Sequence, residues 1–154
     1  MKNVAFKRLL NYLDNEGYRY DVDPDKTQIY ISFETKDFPI KSRIVIEEKP
    51  WTMVLYSHFP FEFKEDDIVK GAMAMAMINY SLADGCFDLN LNDGKVVYRI
   101  STNYPQSGEL DINFVTYLLV NSNHVVDYYN DLLYMLSAGK MSLDEFHRKV
   151  EDFS

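Results

Sequence analysis

The chain has 154 residues, of which 47% are hydrophobic, 15% aromatic and 26% charged, and its formal net charge is −8. That length and apolar content suit a single domain with one substantial core and are incompatible with a disordered protein. Because 16 basic residues are scattered among 24 acidic ones, neither nucleic acid nor an anionic membrane is an expected partner, and a basic or neutral polypeptide is more compatible. The single cysteine, Cys86, rules out an internal disulfide.

The N-terminal stretch MKNVAFKRLLNYLDNEG carries charges throughout its apolar pattern and lacks the continuous hydrophobic region of a signal peptide. We therefore expect a cytoplasmic protein. Gly17 stands where a left-handed cap would end a helix, so the stretch predicts a first helix. The apolar residues that recur at helical spacing are Val4, Phe6, Leu9, Leu10 and Leu13.

Three strand-like runs follow the turn-rich segment DVDPDK. They are QIYISFET, IKSRIVIEE and WTMVLYSHF, and each alternates in polarity and is rich in β-branched or aromatic side chains. The runs predict an antiparallel meander with one face in the core. The residues expected on that core face are Ile29, Ile31, Phe33, Ile44, Ile46, Met53 and Leu55.

The segment IVKGAMAMAMINYSLAD follows the polar run FKEDD and is rich in the good helix formers alanine and methionine. It predicts a second helix that is apolar nearly all round. We therefore expect the sheet to cover one side of it and another helix or a second subunit to cover the other. Its methionines indicate either core packing or an adaptable contact surface. The candidate residues for a homodimer interface are Met73, Met77 and Tyr80.

The segment CFDLNLNDGKVVYRIS alternates strictly on both sides of Asp93-Gly94, which is a two-residue turn signal, and it therefore predicts a β-hairpin. If Asn92 faces Lys95, apolar residues pair on one side of the sheet and opposite charges pair on the other. The pairs expected in that register are Leu91 with Val96, Leu89 with Tyr98, Phe87 with Ile100, and Asp88 with Arg99.

A long helical pattern follows the hairpin, broken only at Ser122 and expected to end at Gly139. Ser142 and Glu145 then form a capping-box pattern that opens a short terminal helix through Val150. The apolar stripe of the long helix consists of Val115, Leu118, Val125, Tyr129, Leu132 and Leu136.

The element order is helix, three-stranded antiparallel meander, helix, β-hairpin, long helix and short helix. This order predicts an α+β fold in which a five-stranded antiparallel sheet carries helices mainly on one face. We expect a single domain over residues 1–139 and a short helical extension over residues 140–154. No internal repeat, linker or low-complexity block interrupts the pattern.

No residue pattern predicts a catalytic, cofactor or metal site. His58, His124 and His147 lack the spacing of metal ligands, and the glycines are dispersed rather than gathered in a phosphate-binding loop. Cys86, at the start of a strand, is more typical of a packing residue than of a nucleophile. We therefore expect a protein that is not an enzyme.

The strand alternation leaves a second, amphipathic face of the sheet opposite the core. This face is either a solvated surface with a few scattered apolar residues or a surface that holds an extended peptide or a ligand. The candidate partner-binding residues on it are Tyr30, Val45, Val54, Tyr56, His58, Val97 and Arg99.

The element order and the segment INYSLADGCFDLNLNDGKVVYRIS resemble the YbjN family, which is similar in fold to the type III secretion chaperones of bacteria. In that family a helix with a small-residue end leads to a Gly-Phe-rich strand, an Asp-Gly turn and a Val-Tyr-Arg strand. The matching residues are Gly85, Phe87, Asp93, Gly94, Val97, Tyr98 and Arg99, and in architecture the likeness spans about residues 1–138. It implies a type III secretion chaperone-like fold and a non-enzymatic regulator or chaperone-like binder.

Two functions fit these patterns. In the first, the protein is a protein-binding adaptor or chaperone-like regulator that presents an open sheet face or edge to a polypeptide, with a homodimer as one arrangement. In the second, a pocket between helices and sheet binds or converts a small molecule through Tyr56, His58 and Arg99. A structural subunit of a larger assembly is a third candidate.

Overall fold

The computed structural model describes residues 3–152, which form four α-helices and a sheet of six β-strands. The predicted domain over residues 1–139 includes residues 1–2, and the predicted extension over residues 140–154 includes residues 153–154. These four residues lie outside the described part of the chain. The helices are α1 (Val4–Asn15), α2 (Ile68–Ser81), α3 (Ile112–Ser137) and α4 (Leu143–Glu151). The strands are β1 (Tyr20–Asp23), β2 (Gln28–Phe33), β3 (Ile40–Glu47), β4 (Thr52–Glu62), β5 (Cys86–Leu89) and β6 (Lys95–Asn103).

The sheet has the strand order β1-β2-β3-β4-β6-β5, and all neighbouring strands are antiparallel. The predicted α+β class, meander and hairpin are confirmed, whereas the predicted count of five strands is wrong because β1 adds a sixth. β1 has the sequence YDVD and pairs with β2. Its two aspartates disfavour strand structure, and the Asp-Pro-Asp run that begins at its last residue favours a turn, so local patterns conceal this strand.

The loop of the β5–β6 hairpin is longer than the sequence predicts. A type I′ turn on Asp93-Gly94 requires a positive φ at both residues, and in this loop Gly94 alone has one, at 70°. The carboxylate of Asp93 instead accepts a hydrogen bond from the backbone N–H of Lys95 at 3.1 Å. Asn90 and Lys95 close the loop, since the Asn90 N–H donates to the Lys95 carbonyl at 2.9 Å. Residues 91–94 therefore form the loop in place of the predicted two-residue turn.

The observed register of the hairpin pairs Phe87 with Tyr98 and Leu89 with Val96. The predicted register is therefore wrong by two residues on one strand. Because side chains alternate with a period of two, a shift of two keeps Phe87, Leu89 and Tyr98 on the core face. Leu91 is the exception, since it lies in the loop and 66% of its surface is exposed.

Two glycines of the hairpin lie where no side chain fits. A Cβ atom on Gly94 would lie 1.9 Å from the carbonyl oxygen of Phe63, which precedes α2. Gly85 has a φ of 71°, and a Cβ atom there would lie 2.2 Å from the hydroxyl of Tyr98. Gly85, Gly94 and Tyr98 are among the residues shared with the YbjN-like pattern, and these close approaches make their role structural.

Residues from all four helices join the inner face of the sheet in one hydrophobic core. Helix α3 packs against β4 and β6, α2 against β5, and α1 against α3. The core face predicted for the meander is confirmed, except that Phe33 is only partly buried. Its buried members are Ile29, Ile31, Ile44, Ile46, Met53 and Leu55.

Ser122, which interrupts the apolar stripe of α3, faces the core and anchors α3 to the sheet. Its hydroxyl lies 2.9 Å from the hydroxyl of Ser57 on β4. The Ser57 hydroxyl in turn lies 3.1 Å from that of Ser42 on β3. All three hydroxyl groups are buried, and this chain of hydrogen bonds satisfies them without water.

Helix α4 opens with the predicted capping box. The hydroxyl of Ser142 accepts a hydrogen bond from the Glu145 N–H at 3.2 Å, and the Glu145 carboxylate accepts one from the Ser142 N–H at 2.9 Å. Phe146 and Val150 are fully buried, and α4 packs against α2 and α3. Another helix, α4, therefore provides a second cover for α2 besides the sheet.

Candidate protein-binding sheet face

The face of the sheet opposite the helices, here called the outer face, contributes nothing to the hydrophobic core. No helix of residues 3–152 covers it, and its central side chains range from the exposed Tyr30 to the buried Val54. The structure places the seven predicted partner-binding residues on this one face. Two cations of β3, Lys41 and Arg43, lie on the same face. The central residues of the outer face are therefore Tyr30, Lys41, Arg43, Val45, Val54, Tyr56, His58, Val97 and Arg99.

One cross-strand row of residues runs through the middle of the outer face. It consists of Tyr30 on β2, Arg43 on β3, Tyr56 on β4, Arg99 on β6 and Cys86 on β5, each directly opposite the next. The guanidinium carbon of Arg43 lies 5.0 Å from the centre of the Tyr56 ring, within the range of cation–π attraction. Tyrosine and arginine therefore alternate across the sheet, and we call Tyr30, Arg43, Tyr56 and Arg99 the Tyr-Arg row.

Arg99 is held by the carboxylate of Asp88 on β5. Its Nε donates to Asp88 Oδ2 at 2.8 Å, and this hydrogen bond is the main reason that the pKa of Arg99 is raised. Asp88 lies opposite Val97, so the ion pair is diagonal rather than directly cross-strand as predicted. The predicted contact forms in spite of the shifted register because a long arginine reaches its diagonal neighbour.

Arg43 and Lys41, two residues apart on β3, have no carboxylate partner within residues 3–152. The Nε atom of Arg43 is buried and has no hydrogen-bond partner in the described part of the chain. His58 lies opposite Lys41, and desolvation, followed by the positive charge of Arg43, lowers the pKa of His58. The middle of the outer face is therefore locally cationic, although the net charge of the protein is −8.

Sequence reasoning selected the apolar and aromatic residues of this face and missed Lys41 and Arg43. The alternation of IKSRIVIEE places both on the same face as Val45, so a signal for them exists in the sequence. Their neighbours are not visible there, because only the register of β2, β3 and β4 places Arg43 between Tyr30 and Tyr56.

The two edges of the sheet are protected against the addition of another strand. At the β5 edge, the side chain of Asn79 on α2 accepts from the Phe87 N–H at 2.7 Å and donates to the Phe87 carbonyl at 2.9 Å. At the other edge, β1 has only four residues, carries Asp21 and Asp23, and is followed by Pro24. Short, charged edges next to proline resist strand pairing. The face is therefore better suited to a partner than the edges.

The predicted dimer residues Met73, Met77 and Tyr80 lie on α2. Met73 is 48% exposed and Tyr80 is 95% exposed, whereas Met77 is partly buried against the core. Met77 and Tyr80 line an open cleft of about 710 Å³ between α2 and α4, together with His147. A homodimer through these residues stays a prediction.

The chemically reactive side chains do not converge. His58, His124 and His147 lie on β4, α3 and α4, and no cluster of histidine, cysteine or acidic residues within residues 3–152 could hold a metal ion. Burial, followed by the charge of Asp88, raises the pKa of the Cys86 thiol, which keeps it protonated and weakly nucleophilic at neutral pH. None of the helices in residues 3–152 combines the length and hydropathy that crossing a membrane requires.

The geometry contradicts one detail of the small-molecule hypothesis. Tyr56, His58 and Arg99 were expected to line a pocket between helices and sheet. They lie instead on the outer face, and the sheet itself separates them from the helices. The reason is that side chains alternate along a strand, and each of the three is next in sequence to residues on the buried face, which are Leu55, Ser57, Tyr98 and Ile100. No pocket between the two layers can contain these three side chains.

The sequence matches no protein-family model and no curated protein. Several solved structures share its fold, among them the following three. YbjN from E. coli, a candidate transcription regulator, has a TM-score of 0.60 and 14% identity, over 84% of this chain and 89% of the other. A chain of the ExsC–ExsE complex has a TM-score of 0.64 and 13% identity, over 86% and 96%. A chain of the HopA1–SchA chaperone–effector complex has a TM-score of 0.52 and 14% identity, over 77% and 87%.

These likenesses confirm the predicted resemblance in fold to YbjN and to type III secretion chaperones. Each covers more than three quarters of the chain, so the shared region includes most of the sheet and helices. Identities of 13–14% establish the fold alone, and a partner has to be argued from this chain's own surface.

Proposed function

We propose that the protein is a non-enzymatic adaptor or chaperone-like regulator that binds a polypeptide on its outer face. The observation that carries the proposal is the uncovered Tyr-Arg row, four large side chains aligned across four neighbouring strands. Tyrosine and arginine are the residue types that most often supply binding energy at protein interfaces, because both combine apolar contact area with directional hydrogen bonds.

The surroundings of the row support a polypeptide ligand. The half-buried Val45 and Val97 flank it and offer shallow apolar contacts, whereas a small molecule requires a concave site that buries most of its surface. Asn79 and the short β1 protect the edges, so a partner would lie on the face rather than extend the sheet.

The structural neighbours add support from another direction. Two of the three are chains within complexes of two proteins, ExsC–ExsE and HopA1–SchA, and the second of these is a chaperone–effector complex. A shared fold with such chains favours a protein partner here. A cytoplasmic location and a homodimer through Met73, Met77 and Tyr80 belong to the same proposal.

Site-specific photo-crosslinking tests the proposed function. Tyr56 is replaced by the photoreactive amino acid p-benzoylphenylalanine, an aromatic side chain that extends from the outer face, and the protein is irradiated in a lysate of its native host. The matched control carries the same amino acid at Phe114, which is 54% exposed but lies on α3, on the helical side of the molecule.

We expect a discrete polypeptide to crosslink at position 56 and not at position 114, and excess unmodified protein to abolish that crosslink. Absence of a saturable product at position 56 would overturn the proposal. The same product at both positions would also overturn it, because contact would then not be confined to the outer face.

A further inference from the structure

The outer face differs in charge from the protein as a whole. The net charge of −8 favours a basic or neutral partner, yet the centre of the face carries Lys41, Arg43 and Arg99. Of these three cations, Arg99 alone has a carboxylate partner, Asp88, within residues 3–152. Two adjacent positive charges on β3 thus stand without compensation on a surface that nothing in the described chain covers.

Arg43 is pre-arranged to receive a carboxylate. Its guanidinium carbon lies 5.0 Å from the centre of the Tyr56 ring, and its Nε is buried. The ring contact and the buried stem restrict this side chain before any ligand arrives, which lowers the entropy cost of binding. A guanidinium group without a carboxylate partner in residues 3–152 matches an incoming carboxylate in geometry as well as charge.

The spacing of the cations matches an extended chain. Lys41 and Arg43 are alternate residues of one strand, so their Cα atoms lie about 6.6 Å apart. Alternate side chains of an extended peptide repeat at the same distance. A peptide aligned with β3 can therefore offer successive acidic side chains to Arg43 and Lys41 while it contacts the rings of Tyr30 and Tyr56 on either side.

We propose that the outer face binds an extended acidic segment of a partner protein, with carboxylates at alternate positions paired with Lys41 and Arg43. The inference rests on the proposed function and adds the chemistry of the partner. It reverses the expectation from net charge, because the local arrangement of charges, and not their sum, decides which peptide fits the face.

Defined peptides test this inference on the full chain. Fluorescence anisotropy compares labelled peptides of six Glu-Thr, six Gln-Thr and six Lys-Thr repeats, at low (about 50 mM) and high (about 300 mM) salt. At low salt we expect the acidic peptide to bind about tenfold more tightly than the neutral one, with an advantage that shrinks as salt rises. The basic peptide should bind no better than the neutral one.

Matched variants separate the site from general charge effects. The Lys41→Gln/Arg43→Gln variant should lose the preference for the acidic peptide, whereas Lys7→Gln/Arg8→Gln, which changes the net charge equally on exposed residues of α1, should keep it. The Lys41→Glu/Arg43→Glu variant should bind the Lys-Thr peptide instead, which also shows that substitutions at these positions leave a folded, binding-competent face.

Four results would overturn the inference. The first is an acidic peptide that binds no better than the neutral one, and the second is an equal loss of preference in the α1 control. The third is equally tight binding of a twelve-residue oligothymidylate. The fourth is a wild-type dimer, seen in analytical ultracentrifugation, that Lys41→Gln/Arg43→Gln disrupts. The last would assign the face to a second copy of the chain. If one of the first three occurs while the crosslink at Tyr56 persists, the proposed function stands and only the acidic chemistry is wrong.

Discussion

Replacing Asn79 by alanine tests whether α2 protects the edge of the sheet. The side chain makes two hydrogen bonds to Phe87, of 2.7 and 2.9 Å, which take the place of a neighbouring strand. At about 1 kcal/mol for each bond, their loss costs about 2 kcal/mol. Alanine is a better helix former than asparagine by about 0.5 kcal/mol, so the net destabilisation expected is about 1.5 kcal/mol.

Urea unfolding followed by circular dichroism measures this change. For a domain of this size, the same loss lowers the melting temperature by about 4 °C. Asn11→Ala is the matched control, since Asn11 is an exposed asparagine within α1, and it should stabilise the protein by about 0.5 kcal/mol. The reasoning is refuted if Asn79→Ala is as stable as the wild type, or if the two variants shift stability in the same direction.

Three further predictions use matched pairs or a change of pH. Gly94→Ala and Gly139→Ala both place a side chain at a positive φ, which alone costs roughly 1 kcal/mol. Gly94→Ala should destabilise the protein by well over that amount, because its Cβ would lie 1.9 Å from the Phe63 carbonyl oxygen, whereas a Cβ at position 139 meets open space. Equal urea midpoints for the two variants would contradict this. Phe146→Ala should lower the free energy of unfolding by about 3–5 kcal/mol, because it removes a buried ring. The control, Lys149→Ala, changes an exposed residue and should alter the melting temperature little. A small effect of Phe146→Ala would mean that α4 is not part of the core. Because the pKa of His58 is lowered in the folded protein, the unfolded chain binds a proton first as pH falls below 6.5, and stability decreases until the folded-state pKa is passed. His58→Gln should therefore lose less stability between about pH 7 and 5 than the wild type. An unchanged slope of stability against pH would count against the lowered pKa.

The helices and the fold class were predictable because their signals are local. Helical spacing, Gly17, Gly139 and the Ser142 capping box all appear in the structure where the sequence places them. The register of the hairpin was not predictable in the same way. The Asp93-Gly94 signal is local, but the loop also packs Gly94 against the backbone of Phe63, a contact that the hairpin sequence does not contain.

The candidate site shows the same difference between features set by local sequence and features set by contacts between distant segments. Alternation within each strand predicts which residues share the outer face, and so Tyr30, Val45, Tyr56 and Arg99 were found. The Tyr-Arg row runs across the strands, and its order depends on pairing between segments distant in sequence. Arg43 acquires its significance only when the register places it beside two tyrosines and leaves it without an ion-pair partner in residues 3–152.

Nuclear magnetic resonance tests the central claim, that the outer face binds an extended acidic polypeptide, most directly. In ¹⁵N-labelled protein the Nε–H groups of arginine give their own signals, so Arg43 and Arg99 report contact with the face itself. Titration with the Glu-Thr and Gln-Thr peptides should shift the Arg43 Nε–H signal and the β3 and β4 amides, and leave those of α4 unchanged. Shifts confined to α2 and α4 around Met77 and Tyr80, or no saturable shift with either peptide, would contradict the claim.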